Sequence, residues 1–158
     1  MLMKKILMSL ALLLVSICAF SQTTIDGLYR TFSDVKGAKS ITIPKYMMSL
    51  VKVGTNTEKN KVLQKVDAVK LLELDNCKKS IRKKFRKAVE KLDKGDYVEF
   101  VRSGQQKKGT RLLVKGDETV ITSVVFIDVS DGDCKFVKVD GHISHKDVSS
   151  VLDLNMDD

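Results

Sequence analysis

The 158-residue chain has no tryptophan, a single proline and three cysteines. One proline leaves no Pro-rich linker, and no internal repeat is present, so nothing indicates a second domain. Cys18 lies in an apolar N-terminal segment, which leaves Cys77 and Cys134 in the rest of the chain. Two cysteines permit one bridge at most and exclude a disulfide framework. Spacing alone does not bring their Cα atoms within bonding range, and we expect two separate apolar side chains.

The sequence also lacks the short motifs that mark common catalytic sites. It contains no Gly-x-Ser-x-Gly elbow, no His-Glu-x-x-His and no phosphate loop after a predicted strand. The only histidines are His142 and His145, and two imidazoles are fewer than the three or four ligands of a zinc site. Asp131 and Asp133 flank Gly132 in a pattern that is more typical of a turn than of a calcium site. We therefore predict a non-catalytic protein without metal or cofactor; the alternative is a hydrolase whose residues no motif reveals.

The N-terminus carries the pattern of an export signal. Two lysines precede an apolar run over residues 6–20, and small residues at Ala19 and Ser21 occupy the positions that a signal peptidase recognises. The run is about 15 residues long, shorter than the roughly 20 residues of a transmembrane helix. The pattern predicts a signal peptide over residues 1–21 and an exported mature chain that begins at Gln22. We expect this chain in the periplasm, in the cell envelope or outside the cell, with no transmembrane segment after processing.

A second interpretation of the N-terminus makes Cys18 a lipidated residue. Lipidated cysteines normally follow a small residue, whereas Ile17 is large and branched. The resulting alternative is a membrane-tethered lipoprotein that acts in envelope sensing.

Positive charge is concentrated in one segment of the chain. The whole sequence has 28 Lys and Arg against 20 Asp and Glu, a net charge of +8. Residues 78–94 contain nine basic residues and two acidic ones, a net charge of +7. The rest of the mature chain is therefore close to neutral, and the protein is predicted to be a neutral domain with one basic helix.

The basic segment is amphipathic at helical spacing. Its apolar residues fall on one side of a helix that we predict over residues 76–93. This inward stripe consists of Ile81, Phe85, Ala88, Val89 and Leu92. The candidate interaction surface on the other sides consists of Lys79, Arg82, Lys83, Arg86, Lys87 and Lys91.

Two interpretations of this surface remain open. It can be a solvated lysine face whose repulsion is screened by salt, or it can bind an anionic envelope component or an acidic protein patch. Nucleic acid is not an expected partner, because the compartment is wrong and Phe85, the only aromatic residue of the segment, points inward. Insertion of the helix into a membrane would uncover the sheet beneath it, and we do not expect it.

The first part of the mature chain is predicted to begin with a helix that ends at Gly37. A short strand over residues 40–43 follows, and Pro44 favours extended geometry before it and the first turn of a helix after it. This second helix is predicted over residues 44–53. The apolar stripe of the first helix consists of Ile25, Leu28, Tyr29 and Phe32.

In the second helix we expect Met47, Leu50 and Val51 to face inward and Gly54 to cap the C-terminus. A polar loop and a short helical turn then lead to a strand over residues 68–74.

After the basic helix the apolar period changes from 3.6 to 2, which predicts strands. Short turns join these strands, so they must be antiparallel, and the third is apolar on both faces and therefore central. A closing helix over residues 144–152 is predicted from Ser144 as N-cap, with Asp147 three residues on. The four predicted strands are residues 97–102, 110–115, 119–129 and 134–141.

This order predicts a single α+β domain over residues 22–158. Its sheet is expected to be mixed but mostly antiparallel and to end in a four-strand meander, with helices packed on one face.

Three features resemble domain-of-unknown-function family 4252, a family of small exported proteins common in Bacteroidetes. They are the lysine-rich signal that ends before Gln22, the segment Ile41-Thr42-Ile43-Pro44-Lys45-Tyr46-Met47, and Gly141-His142-Ile143 followed by Asp147-Val148. The similarity covers about residues 25–155. It implies export and this fold, but no catalytic residue, because none is established for the family. The family pattern often has an acidic residue where this chain has His142, so no role of an acid there carries over.

Overall fold

The computed structural model describes residues 23–53, 60–100, 109–129 and 133–147. The helices are α1 (Ile25–Ser33), α2 (Lys45–Val53), α3 (Asn60–Gln64) and α4 (Lys79–Glu90). The strands are β1 (Thr23–Thr24), β2 (Lys39–Ile43), β3 (Val66–Glu73), β4 (Leu92–Asp93), β5 (Val98–Phe100), β6 (Thr110–Gly116), β7 (Val120–Asp128) and β8 (Lys135–Ser144).

Six strands form one antiparallel sheet in the order β2-β3-β8-β7-β6-β5. The last four strands are consecutive in the chain and form the predicted meander, with β7 and β8 at the centre of the sheet. The prediction of an α+β domain with a largely antiparallel sheet is confirmed. Beyond it, β1 and β4 form a two-residue parallel pair that joins the start of α1 to the end of α4.

One face of the sheet is covered by α1 and α4. The helices pack against alternate residues of the strands, such as Leu113, Ile127 and Phe136, all of which are fully buried. Phe32 of α1 and Phe85 of α4 meet edge to face with ring centroids 5.2 Å apart. We call this side of the sheet the α4 face.

The opposite face of the sheet carries α2, and we call it the α2 face. Met48 of α2 packs with Val124, Val139 and Ile143, whose chain neighbours point to the α4 face. The helices are thus divided between the two faces, because the central strands are apolar on both. The prediction that the helices pack on one face is wrong in this respect.

The orientation of α2 differs from the prediction. Met48 is the buried residue, with 2% of its surface exposed, whereas Met47, Leu50 and Val51 are 44%, 72% and 41% exposed. Six of the nine residues of α2 are apolar, so periodicity could not select one stripe. The short link through Pro44 to β2 orients the helix instead, and it directs Met48 toward the sheet.

The C-terminal end of β8 also differs from the prediction. The strand extends to Ser144, and the next residues form a turn in which the Ser144 hydroxyl donates to the Asp147 carboxylate. The rest of the predicted closing helix lies outside the described residues. So do the predicted signal peptide, Cys18, the Gly54 cap and the Asp131-Gly132 turn.

Candidate functional site

Helix α4 is held on the sheet by the apolar stripe that the sequence predicts. Phe85 and Val89 are buried, and Ile81, Ala88 and Leu92 pack partly buried around them. Burial of each large apolar side chain stabilises the docked helix by about 1.5–3 kcal/mol. This packing determines which sides of the helix face solvent.

Six exposed lysines form a continuous surface on the outside of α4 and at its two ends. None of them lies within 4.0 Å of a carboxylate among the residues that the structure describes. The six ammonium groups therefore lie together on one exposed surface. We call it the basic ridge, and it consists of Lys78, Lys79, Lys83, Lys84, Lys87 and Lys91.

The two arginines of the predicted surface lie differently from the lysines. Arg82 and Arg86 are half-buried, and their Nε atoms are shielded from solvent. They flank Val89 on the helix and approach the buried Cys134, whose Sγ lies 3.9 Å from the carbonyl oxygen of Arg82. Arg82 and Arg86 were predicted as part of the candidate interaction surface, but both are half-buried, because the segment that carries Cys134 lies against this side of α4.

The local sequence of α4 opposes helix formation at its N-terminus. Lys78, the N-cap residue, makes no side-chain capping hydrogen bond, and the first turn has no acidic residue. The helix dipole is positive at this end, so Lys78 and Lys79 reinforce it rather than neutralise it. Lysines at i, i+4 spacing along the ridge repel each other by about 0.2–0.5 kcal/mol per pair. Packing of Phe85 and Val89 outweighs these terms and keeps the charges together.

The C-terminus of α4 is tied to the sheet by Arg111 of β6. Its guanidinium donates to both carboxylate oxygens of Glu99, at 3.0 and 3.1 Å, and to the carbonyl oxygen of Val89 at 2.8 Å. The hydrogen bond from Arg111 lowers the pKa of Glu99 more than burial raises it. Sequence reasoning missed this contact; the signal was Arg111 at the same strand alternation as the buried Leu113.

A polar cavity of about 450 Å³ lies beside α1. Lys138 on its wall donates to Asp26 at 3.0 Å and lies 3.6 Å from Asp140. The Tyr29 hydroxyl bonds to Thr42 Oγ1 at 2.7 Å. Burial lowers the pKa of Lys138, but the hydrogen bond to Asp26 and the Asp140 charge raise it by more. These polar groups satisfy one another, so we assign the cavity a structural role.

The histidines and cysteines are not brought together as a ligand set. His142 Nδ1 lies 3.2 Å from Asp67, and His145 Nε2 lies 3.1 Å from the carbonyl oxygen of Asp117. Among the described residues, no three metal-ligating side chains cluster. Cys77 and Cys134 are free and buried, and burial raises the pKa of both thiols.

In the part of the chain that the structure describes, no helix is both long and apolar enough to cross a bilayer.

A family model described as "Domain of unknown function (DUF4252)" matches residues 29–151, well over half of the chain. The match confirms the family resemblance predicted from the sequence. No curated protein and no solved structure matches the chain.

Proposed function

The chain belongs to the family DUF4252, and we propose that it is a non-catalytic, exported module that binds an anionic component of the cell envelope through the basic ridge. The observation that supports this proposal is the group of six exposed lysines on and beside α4, a helix whose apolar stripe is buried against the sheet. In the described part of the chain, none of them pairs with a carboxylate.

The residue type favours a polyanion over a single small ligand. A lysine ammonium is a flexible, strongly hydrated point charge, whereas an arginine presents a planar fork that matches one carboxylate or phosphate. On α4 the lysines are exposed and the arginines are half-buried. A row of point charges attracts repeated phosphate or carboxylate groups without demanding one geometry.

The helix end adds to this preference. The N-terminus of α4 has no described capping side chain, so its dipole adds partial positive charge beside Lys78 and Lys79. An anion bound near this end lowers the repulsion between the two lysines and the positive end of the helix dipole.

Charge reversal of Lys79, Lys83 and Lys87 to glutamate is expected to weaken binding to vesicles containing phosphatidylglycerol by about 100-fold or more. Each lysine near an anionic surface contributes about 1 kcal/mol, and reversal adds repulsion. Vesicle co-sedimentation of the mature protein at low salt measures the effect, and soluble polyphosphate as a second probe distinguishes a lipid surface from a polymer.

The matched control reverses three exposed basic residues elsewhere, Arg30, Lys36 and Lys61. It has the same net charge as the ridge variant, and we expect most of the binding to remain. Equal losses in the two variants would show that net charge alone drives binding. If the mature protein binds neither vesicles nor polyphosphate and retains only an acidic protein, the partner of the basic ridge is that protein and not a polyanion.

Export is a separate part of the proposal, and the N-terminal mass of the protein isolated from cells tests it. We expect a chain that begins at Gln22, as the sequence pattern predicts. A diacylglyceryl group on Cys18 would instead support the membrane-tethered alternative. An intact Met1 would contradict export altogether.

A further inference from the structure

Two exposed apolar patches lie on the α2 face. The first, which we call the α2 patch, lies on the solvent side of that helix. The second, which we call the β5 patch, consists of Val98 and Phe100 at the far edge of the sheet, whose surfaces are 70% and 52% exposed. Apolar patches of this kind mark interaction surfaces. The α2 patch consists of Tyr46, Met47, Leu50 and Val51.

The strand register places the β5 patch at the end of two apolar rows that cross the whole sheet. The rows are covered near β3 and β8, where Met48 of α2 packs, and they become exposed toward β5. The first row is Ile41, Leu71, Val137, Phe126, Leu112 and Phe100. The second row is Ile43, Val69, Val139, Val124, Val114 and Val98.

The uncovered half of the α2 face contains a shallow apolar cavity of about 350 Å³. Its lining is mostly apolar and also includes one acidic residue and one histidine: Val98, Phe100, Val114, Gly116, Asp117, Ile121 and His145. Asp117 is held there by hydrogen bonds from the backbone N–H groups of Thr119 and Val120, both 2.8 Å long. This half of the α2 face thus offers a concave, mostly apolar surface that an apolar helix can fill.

The helix α2 can supply such a surface. Its exposed stripe is apolar, and Lys45 is its first residue. Among the residues that the structure describes, the outer side of α2 has no sheet packed on it, and the β6–β5 half of the α2 face has no helix packed on it.

We propose that a second copy of this chain covers the α2 face, so that the α2 patch of each copy packs on the β5 patch of the other. In this dimer the two-fold axis lies between the two α2 faces, parallel to the strands and above the boundary of β8 and β7. It places β2 of one copy opposite β5 of the other, and β3 opposite β6. The same operation carries α2, which lies over β3, onto the open β6–β5 half of the partner. Both contacts form together, as a closed two-fold interface requires.

The dimer goes beyond the proposed function and does not depend on it. Its interface is on the α2 face, so the two basic ridges lie on opposite outer surfaces. Two ridges per particle would let one dimer bridge two anionic strands or surfaces, with a gain in avidity.

Sedimentation equilibrium of the mature chain tests the dimer, and we expect Leu50→Glu and Val98→Lys each to raise the dissociation constant about 100-fold. Each change places a charge in an apolar contact that occurs twice. An equimolar mixture of the two variants is expected to restore the dimer. In the mixed pair, the introduced carboxylate of one copy faces the introduced ammonium of the other, and the second contact is native.

Lys83→Glu on the opposite face is the control and is expected to leave the dimer intact. Because Leu50 and Val98 are mostly exposed, the circular dichroism spectrum of each variant should match that of the wild type. If the wild-type chain stays monomeric at all concentrations tested, the proposed dimer does not exist, even if something else covers the α2 face. A dimer insensitive to both changes, or variants that do not complement each other, overturns it as well.

Discussion

Replacement of Phe85 by alanine is expected to destabilise the domain by about 3–5 kcal/mol, the usual range for a buried phenylalanine. Phe85 has no exposed surface and packs edge to face on Phe32. Alanine removes the apolar area and leaves a cavity between α4 and α1 that the rigid sheet cannot close. The loss is large against a typical domain stability of about 5–15 kcal/mol.

Urea unfolding followed by circular dichroism measures this loss. Phe85→Leu keeps most of the volume and is the control, with an expected cost of about 1.5 kcal/mol or less. The basic ridge should also become less ordered in the alanine variant, because packing of the buried stripe is the main interaction that opposes the repulsion between its lysines. A loss below about 1 kcal/mol would mean that α4 is not anchored through Phe85.

Replacement of Arg111 by methionine is expected to cost about 2–3 kcal/mol at neutral pH. The change leaves the half-buried Glu99 carboxylate without its two hydrogen bonds and the Val89 carbonyl at the end of α4 without its donor. Methionine keeps the length and apolar contact of the side chain, so the effect reports mainly on the polar contacts.

The pH dependence of this difference follows from Glu99. Its pKa is lower in the folded state than the ordinary glutamate value of 4.5, because Arg111 stabilises the carboxylate. The contribution is therefore complete above about pH 4.5 and is lost as the pH falls through the lowered folded-state value. The stability gap between wild type and Arg111→Met should narrow below about pH 4.5. The stability gap should not close completely, since the hydrogen bond from Arg111 to the Val89 carbonyl does not depend on the protonation of Glu99.

The exposed pair Lys39–Glu73, 3.5 Å apart, provides the matched control. Lys39→Met is expected to change the free energy of unfolding by less than about 1 kcal/mol, because an exposed ion pair is well solvated in either state. Equal effects at Lys39 and Arg111, or a gap that stays constant into acid, would contradict the assigned role of Arg111.

The sequence predicted the parts of this structure that depend on local period and charge. The stripe of Phe85 and Val89, the meander and the placement of the lysines on α4 followed from the spacing of apolar and charged residues. The central position of β7 followed from its apolar residues on both faces. Family membership was also recognisable from short segments, and the family match confirms it.

Features that depend on which distant segments meet were not predictable in this way. Met48 rather than Leu50 is buried because a mostly apolar helix has no preferred side until its neighbours are placed. Arg86 is half-buried because the segment of Cys134 lies against α4, and Arg111 meets Glu99 and Val89 only once β5, β6 and α4 are assembled.

The sequence by itself determined the class of fold and the concentration of positive charge on one amphipathic helix, because residues near in the chain set both. Only the tertiary structure decided that lysines rather than arginines form the exposed surface and that Val98 and Phe100 are exposed on the α2 face. Both outcomes depend on long-range packing, in which each side chain's exposure is set by residues far away in the chain.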